Sequence, residues 1–405
     1  MPLPVLTSPE RHLVAATVAL VCIAFRFIRP VPEFPLALAL LHAPAPAQEA
    51  PARWHLSARP TVTIGREGDP HAEFLRVGRV IRLPGGEILV PNAGTNEIRV
   101  FDRSGRYLRA IGRSGAGPGE FRLPSLVARA GDTLFVADPV NARISEFLPD
   151  GTLVKTIPIE ARDLPARLSV VGRLGDGRWA VVTTSRPSPS GPQRIYRDTL
   201  HVGVLAPDAS GGVLWVGLFP GSTIFVHNPA NAPLGDVAAP VPIGPMSLSA
   251  VSGDEVLIGD TRVNNIGAFS SAGGILRLIP VPLTAVPLSD ETIALLRRRA
   301  FAANPSDRAR TYLTALYSRA VLGPTLPVFR SMVPAADGSI WVEPYPADAA
   351  APTDWLVLDS AGHQRASVMV PAGFEITEVG PDYVVGIHTD VSGVETIRLY
   401  GLIPK

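Results

Sequence analysis

Short apolar runs separated by turn residues recur along most of this chain of 405 residues. In residues 79–157, runs rich in Val, Ile, Leu and Phe alternate with the pairs Gly85-Gly86 and Gly131-Asp132. Gly and Asp tolerate the backbone angles of tight hairpin turns, and apolar runs of about 4–8 residues between such turns are typical of strands. The pattern therefore predicts consecutive antiparallel strands joined by hairpins.

Two segments of the chain are near copies of each other. Residues 64–74 read I-G-R-E-G-D-P-H-A-E-F, and residues 111–121 read I-G-R-S-G-A-G-P-G-E-F. Repeats spaced at roughly 20–50 residues are typical of solenoids, propellers and arrays. Four predicted strands fill the interval between the copies, which is the content of one blade of a β-propeller.

The pattern continues more loosely to the end of the chain. After blades one and two, we place blade three at about 168–218, blade four at 246–279, blade five at 328–370 and blade six from about 376. Blade six has only three predicted strands, and residues 60–64 match the outermost strand of blade one. We therefore predict an all-β, six-bladed β-propeller of four-stranded blades, whose ring is closed by this N-terminal strand joining the C-terminal blade.

A small helical insertion is predicted between blades four and five, at 288–321. Ser289 is a suitable N-cap, and Asp290 and Glu291 follow it in the first turn, where the helix dipole favours negative charge.

Two further motifs carry a family resemblance. Residues 115–124 read G-A-G-P-G-E-F-R-L-P, and residues 136–144 read V-A-D-P-V-N-A-R-I. They resemble the inter-blade connection and the V-x-D-x-x-N-x-R-I run of NHL-repeat proteins, specifically the exported bacterial six-bladed β-propeller proteins. The resemblance covers about 60–403 and is most specific over 64–151. It implies the fold and no single activity, because members of one fold differ in function.

The N-terminal residues stand apart from the repeat. An apolar run at 13–25 stops at Arg26, a second follows at 34–41, and the sequence Ala45-Pro46-Ala47 comes after it. We predict a signal peptide at 1–47, followed by a linker at 48–59 and the propeller at 60–405. An uncleaved membrane anchor is the alternative. Either way the protein is expected to be exported, to the periplasm or beyond, with Cys22, the single cysteine, in the leader.

The charge is balanced at +1, so neither nucleic acid nor an anionic membrane surface is predicted as a partner. A membrane association would depend on the N-terminal segment alone.

The predicted turns differ between the two faces of the ring. Turns after the first and third strands of each blade are tight and share one face. The long connections are predicted on the opposite face, at 184–199, 219–245, 280–327 and 343–354. Insertions confined to one face often mark the binding face of a repeat protein. We therefore expect a protein, peptide or glycan partner on this long-loop face.

Several polar residues on that face are candidate ligands. Asn92, Asp138 and Asp260 follow the second strand of blades one, two and four, and Asn141 and Asn264 come shortly after. Their oxygens suit Ca²⁺, although each can equally hydrogen-bond its own turn backbone.

His388, with Asp390 two residues on, is a candidate base with an orienting carboxylate. No matching nucleophile is identified, and no catalytic or metal-ligating residue is assigned.

The sequence favours an exported binding or scaffold protein. The alternative is a metal-dependent enzyme of the lactonase or lyase kind, which would need acidic or amide groups in the channel. The predicted inner strands at 168–173, 246–251 and 328–333 supply mainly Leu, Val, Ser, Arg and Met. A purely structural envelope component is a third reading.

Overall fold

The computed structural model describes residues 50–65, 68–159, 167–185, 193–227, 237–304, 306–346, 348 and 350–404. The signal or membrane segment predicted at 1–47 lies outside these ranges. Within them, no helix is long and apolar enough to cross a bilayer.

Twenty-eight strands, grouped in mainly antiparallel sheets, make up most of the described chain. Two strands come first: β1 (Ala52–Leu56) and β2 (Val62–Ile64). The first sheet is β3 (Ile81–Arg82), β4 (Ile88–Asn92), β5 (Glu97–Phe101) and β6 (Tyr107–Ile111). A two-stranded pair follows, β7 (Arg113–Ser114) and β8 (Glu120–Phe121). The second sheet is β9 (Leu126–Ala130), β10 (Thr133–Asp138), β11 (Arg143–Phe147) and β12 (Leu153–Pro158).

The third sheet has five strands: β13 (Ser169–Arg173), β14 (Trp179–Ser185), β15 (Gln193–Leu205), β16 (Leu214–His227) and β17 (Val237–Pro240). The fourth is β18 (Ser247–Ser252), β19 (Glu255–Asp260), β20 (Asn265–Ser270) and β21 (Ile275–Pro280). The fifth is β22 (Phe329–Pro334), β23 (Ile340–Pro344), β24 (Thr353–Leu358) and β25 (Gln364–Val370). The last is β26 (Phe374–Val379), β27 (Tyr383–Thr389) and β28 (Glu395–Ile403).

The innermost strands follow one another around a ring. Strand β9 neighbours β13, β13 neighbours β18, β18 neighbours β22, β22 neighbours β26, and β26 neighbours β3 of the first sheet. The apolar side chains of each sheet pack against the next sheet. For example, Tyr383 and Val385 of the last sheet share a buried cluster with Ile88 and Val90 of the first. The predicted all-β propeller is confirmed: the sheets stack face to face around a central channel.

The N-terminal strands complete the last sheet. Strand β2 pairs antiparallel with β28 through Val62–Ile64. Strand β1 pairs with β28 through His55 and Leu56, and in parallel with β25 through residues 52–54. Residues 48–59 were expected to be a linker, and this expectation is wrong for 52–56. The alternating burial of Ala52, Trp54 and Leu56 against the core between the fifth and last sheets explains why these residues form a strand.

The third sheet departs from the predicted pattern. Connections were expected at 184–199 and 219–245, yet β15 and β16 run as one long hairpin across 193–199 and 219–227. Strand β16 continues through Pro220-Gly221, within the expected connection, with an irregular register opposite. Beyond it, Ile224, Phe225 and Val226 are buried, and this burial keeps the chain extended.

Three helices cover the extended end of this hairpin: α1 (Asp290–Ala303), α2 (Asp307–Leu316) and α3 (Arg319–Leu322). Ser289 caps α1, since its side chain accepts from the Thr292 N–H, and Ser306 caps α2 in the same way. Leu313 and Leu316 of α2 pack with Phe225 in one buried cluster. The helices therefore lie on the side of the ring that carries the long connections.

Candidate ligand site in the central channel

In the second sheet, the carboxylate of Asp138 is fully hydrogen-bonded within the protein. The Asp138 side chain is completely buried at the end of β10. Its carboxylate accepts from the backbone N–H groups of Arg122, Val140 and Asn141, at 2.7, 3.0 and 3.0 Å, and from the Asn141 amide at 2.9 Å. Asp138 and Asn141 are thus brought together, in a network that fixes the loop after β10.

The equivalent residues in two other sheets also bond to nearby protein groups. Asn92 Oδ1 accepts from the Leu75 N–H at 2.9 Å, and its amide donates to Thr95 Oγ1 at 2.9 Å. Asp260 accepts from the Arg262 N–H at 3.0 Å and pairs with Arg197 of β15 at 2.8 Å. Of these contacts, the bond from the Arg262 N–H to Asp260 is of the own-turn backbone kind that the sequence offered as the alternative to Ca²⁺, whereas Leu75 and Arg197 belong to other segments.

The remaining two candidates are Asn264 and His388. The Asn264 side chain is exposed, while its backbone carbonyl accepts from the Val281 N–H. His388 is half-buried in β27, and its pKa is lowered by burial and by the nearby Arg398. The Asp390 carboxylate accepts from the N–H groups of Ser392 and Val394. In the described part of the chain, no group of three or more His, Cys, Asp and Glu side chains lies close enough to hold a metal ion.

Two adjoining cavities occupy the central channel, and the inner strands line them. One, of about 400 Å³, is lined by Arg79, Val171, Ser249, Ser331, Glu375 and Thr377, among others. The other, of about 510 Å³, is lined by Leu248, Ser249, Arg330, Ser331, Glu343, Glu375 and Thr389, among others. Ser249, Ser331, Met332 and Glu375 are common to both cavities.

The larger cavity opens toward the long-loop face. It involves the beginnings of β18, β22 and β26 and the ends of β23 and β27. In a sheet of antiparallel strands these points lie at one edge, which is also where the connections between sheets begin and end. The smaller cavity reaches farther along the same inner strands, as far as Val251 and Pro334.

A fixed ion pair stands at the outer end of the channel. Arg330 contacts Glu343 at 2.6 Å, and the Glu343 side chain is 4% exposed. Burial raises the pKa of Glu343, and the Arg330 guanidinium opposes that shift. Tyr345, two residues farther on, belongs to the buried cluster of the helices. The helical segment is thereby packed beside the channel mouth.

Arg79 is the second cation of the channel. Its Nε donates to the Thr377 carbonyl at 3.3 Å, and this is its only side-chain hydrogen bond to the described residues. The side chain is accessible to water, although protein surrounds it within the channel. Burial lowers the pKa of Arg79, which the nearby Glu378 opposes. The other N–H groups of the guanidinium are therefore available to a ligand.

Glu375 is the corresponding anion. No donor among the described residues hydrogen-bonds its carboxylate, which lines both cavities. Burial raises the pKa of Glu375, and Arg330 partly offsets this effect. Because Arg330 already contacts Glu343, Glu375 has a nearby positive charge but no direct partner.

The sequence reading missed Arg79, Glu343 and Glu375. Blade six was predicted to begin near 376, whereas β26 begins at Phe374, and this small error left Glu375 outside the inner strand. Glu343 lay in a presumed connection that is instead the end of β23. A usable signal for these residues was present in the segments F-E-I-T-E-V and G-R-V-I-R. In both, charged residues stand beside apolar residues that must face other sheets.

Comparison with known proteins supports the fold. A family model described as a 6-bladed beta-propeller matches residues 72–148. No curated protein matches the chain. The structure of a member of the duf4221 family from Bacteroides vulgatus is similar, with a TM-score of 0.52 and 10% identity, over 88% of this chain and 100% of that one.

Two proteins with named activities are more distantly similar. The calcium-binding protein regucalcin from Agrobacterium tumefaciens has a TM-score of 0.41 and 15% identity, over 87% of this chain and 97% of its own. Virginiamycin B lyase from Staphylococcus aureus has a TM-score of 0.39 and 11% identity, over 87% and 99%. Identities this low bear on the fold alone. The match at 72–148 and the arrangement of the sheets together identify the chain as a β-propeller protein.

Proposed function

We propose that this chain is an exported binding protein whose central channel takes up a ligand from the long-loop face. One observation carries the proposal: the Arg79 guanidinium and the Glu375 carboxylate line the same cavity, and the described residues leave most of their hydrogen-bonding groups unused. A charge inside a protein is costly unless it is paired or hydrated. Both side chains are accessible to water in the free chain, and a ligand that pairs with them would replace that water with charge-assisted contacts.

The surroundings of the cavity suit selective binding. The Arg330–Glu343 pair is held in place, and it flanks the opening with groups that are already neutralised. Ser249 and Ser331 add hydroxyl groups, while Met332 and Val333 add apolar surface. Binding sites for small molecules commonly combine a mostly preformed cavity of about 300–1,000 Å³ with a few convergent polar groups.

Uptake of small molecules tests the proposal. The purified full-length chain is incubated with a randomised tripeptide library and, separately, with a mixture of neutral oligosaccharides. Protein-bound compounds are then isolated by rapid gel filtration and counted by mass spectrometry. We expect one of the two mixtures to supply retained compounds. The double variant Arg79→Met/Glu375→Gln should retain at least about tenfold less, since both charged contacts are lost.

A matched double variant controls for general effects. Arg103→Met/Glu291→Gln removes the same charges from exposed positions outside the cavity, and its retention should equal that of the unchanged chain. Retention of nothing, or equal retention by the channel variant, would overturn the proposal. Tightly bound metal together with chelator-sensitive hydrolysis of lactones would favour the metal-dependent enzyme instead.

A further inference from the structure

We infer that the ligand of the channel is a small zwitterion, a free amino acid or a short peptide with both termini free. Its carboxylate is bound by Arg79 and its ammonium group by Glu375. This inference rests on the proposed function and narrows it to one ligand class.

The carboxylate end follows from the chemistry of Arg79. A guanidinium presents a planar fork of N–H groups that matches the two oxygens of a carboxylate. Only Nε is engaged by the described residues, with the Thr377 carbonyl. The carboxylate of Glu378 acts on Arg79 through its charge, but it makes no hydrogen bond to Arg79; its Oε1 accepts from the Tyr383 hydroxyl and from the Arg82 N–H at 3.4 Å. Arg79 therefore keeps N–H groups for an anion that comes from outside.

The ammonium end follows from the charges around Glu375. Among the described residues, Arg330 is the cation whose charge acts on Glu375, and it is in contact with Glu343 at 2.6 Å. Glu395 lies near enough to repel it and is held by the Val77 N–H at 3.1 Å. Glu375 therefore shares the charge of Arg330 with Glu343 and is repelled by Glu395, so an additional cation beside Glu375 is attracted.

The cavity fits a short zwitterion better than a neutral glycan. Arg79 and Glu375 line one space of about 400 Å³, and no ion pair joins them among the described residues. A neutral sugar would displace water from both groups without supplying either opposite charge. A molecule with both charges neutralises both groups at once, and Ser249 and Ser331 add hydroxyl groups to the same cavity.

Capping the termini of a peptide tests the assignment group by group. The randomised tripeptide library is offered to the full-length chain in three forms: with free termini, N-acetylated, and amidated at the C-terminus. Retention is measured after rapid gel filtration. We expect each cap to lower retention about tenfold or more, because each removes one charge-assisted contact.

Single variants connect each cap to one residue. With Arg79→Met, the acid and amide forms should be retained equally, while acetylation still weakens retention. With Glu375→Gln, the free and acetylated forms should be retained equally, while amidation still matters. Arg79→Lys and Glu375→Asp keep the sign of each charge and should restore part of the preference. A thermal melt of every variant separates loss of a contact from loss of folding.

The outcomes distinguish failure of the zwitterionic ligand from failure of the binding channel. Retention of oligosaccharides but not of peptides, abolished by Arg79→Met/Glu375→Gln, overturns the zwitterion and upholds the binding channel. Retention of peptides regardless of caps also overturns the zwitterion. Retention of neither mixture overturns the proposed function and this inference with it.

Discussion

Two sets of polar side chains in this ring differ in what they contact. Asn92, Asp138 and Asp260 stand at corresponding strand ends of three sheets, and each is bonded to nearby backbone or side-chain groups. Arg79 and Glu375 face the channel with most of their bonding capacity unused by the described residues. A polar group that recurs from sheet to sheet makes hydrogen bonds that each sheet requires for its own structure. A charged group that occurs once and faces a cavity has no such structural role and is available to a ligand.

This difference separates residues that build the ring from residues that serve its channel. Changes in the first set should lower stability through the loss of internal bonds, whether or not a ligand is present. Changes in the second set should alter uptake while the ring stays folded.

Removing residues 51–65 should have the greatest effect on the ring. The deletion takes away β1 and β2, and with them their hydrogen bonds to β25 and β28, each worth roughly 1 kcal/mol net. It also removes the buried Ile64 and exposes the outer edge of β28, to which other chains can pair. We expect a strongly lowered thermal midpoint and aggregates in gel filtration.

Deleting only 51–59 refines this first prediction. The shorter deletion keeps β2 on β28 and should cost less stability than the longer one. A soluble monomer with an unchanged midpoint after the longer deletion would show that the ring does not depend on its N-terminal strands.

Asp138→Ala should have the next largest effect. The substitution removes the buried acceptor of the backbone N–H groups of Arg122, Val140 and Asn141, and we expect a loss of about 2 kcal/mol in the free energy of unfolding. Asn264→Ala is the matched control, because that side chain is exposed, and it should change stability by less than about 0.5 kcal/mol. Urea denaturation monitored by tryptophan fluorescence measures both.

Added Ca²⁺ tests whether Asp138 is a metal ligand. If Asp138 only fixes its turn, added Ca²⁺ should leave the urea midpoint of the unchanged chain where it is. A midpoint raised by Ca²⁺ in the unchanged chain but not in Asp138→Ala would make Asp138 a ligand, and the repeated polar residues would no longer be purely structural.

The fold was predictable from the repeat because each strand and turn is indicated by residues that are close together in sequence. Hairpin turns such as Ser104-Gly105 depend on the backbone freedom of a glycine, which here has φ of 85°, and they mark strands wherever they occur. Strands β15 and β16 were underestimated because their extension depends on the helices that pack against Phe225, a contact distant in sequence. The helices themselves were predictable, since capping by Ser289 is again a local signal.

The candidate site was not predictable in the same way. Asn92, Asp138 and Asp260 attract notice because they recur, and each of them accepts a hydrogen bond from a backbone N–H group that helps fix the ring. Glu375 and Arg79 come from opposite ends of the propeller sequence and meet only when the ring places β26 beside β3. Neither has a partner nearby in sequence, so no local pattern could connect them.

The smallest effect expected concerns Glu375 and the pH dependence of stability. Burial raises the pKa of this carboxyl above its ordinary value of 4.5, so the folded protein holds its proton more tightly than the unfolded chain does. The stabilisation from that proton is fully present below the unfolded pKa and is lost as the pH rises through the folded one. Glu375→Gln cannot titrate. We therefore expect the urea midpoint of the unchanged chain to fall relative to that of the variant between about pH 4 and pH 7. The midpoints are measured without ligand, at several pH values, for both proteins and for the exposed control Glu291→Gln. If the unchanged chain instead gained stability over the variant as the pH rose, Glu375 would have an internal cationic partner after all, and it would belong with the residues that build the ring.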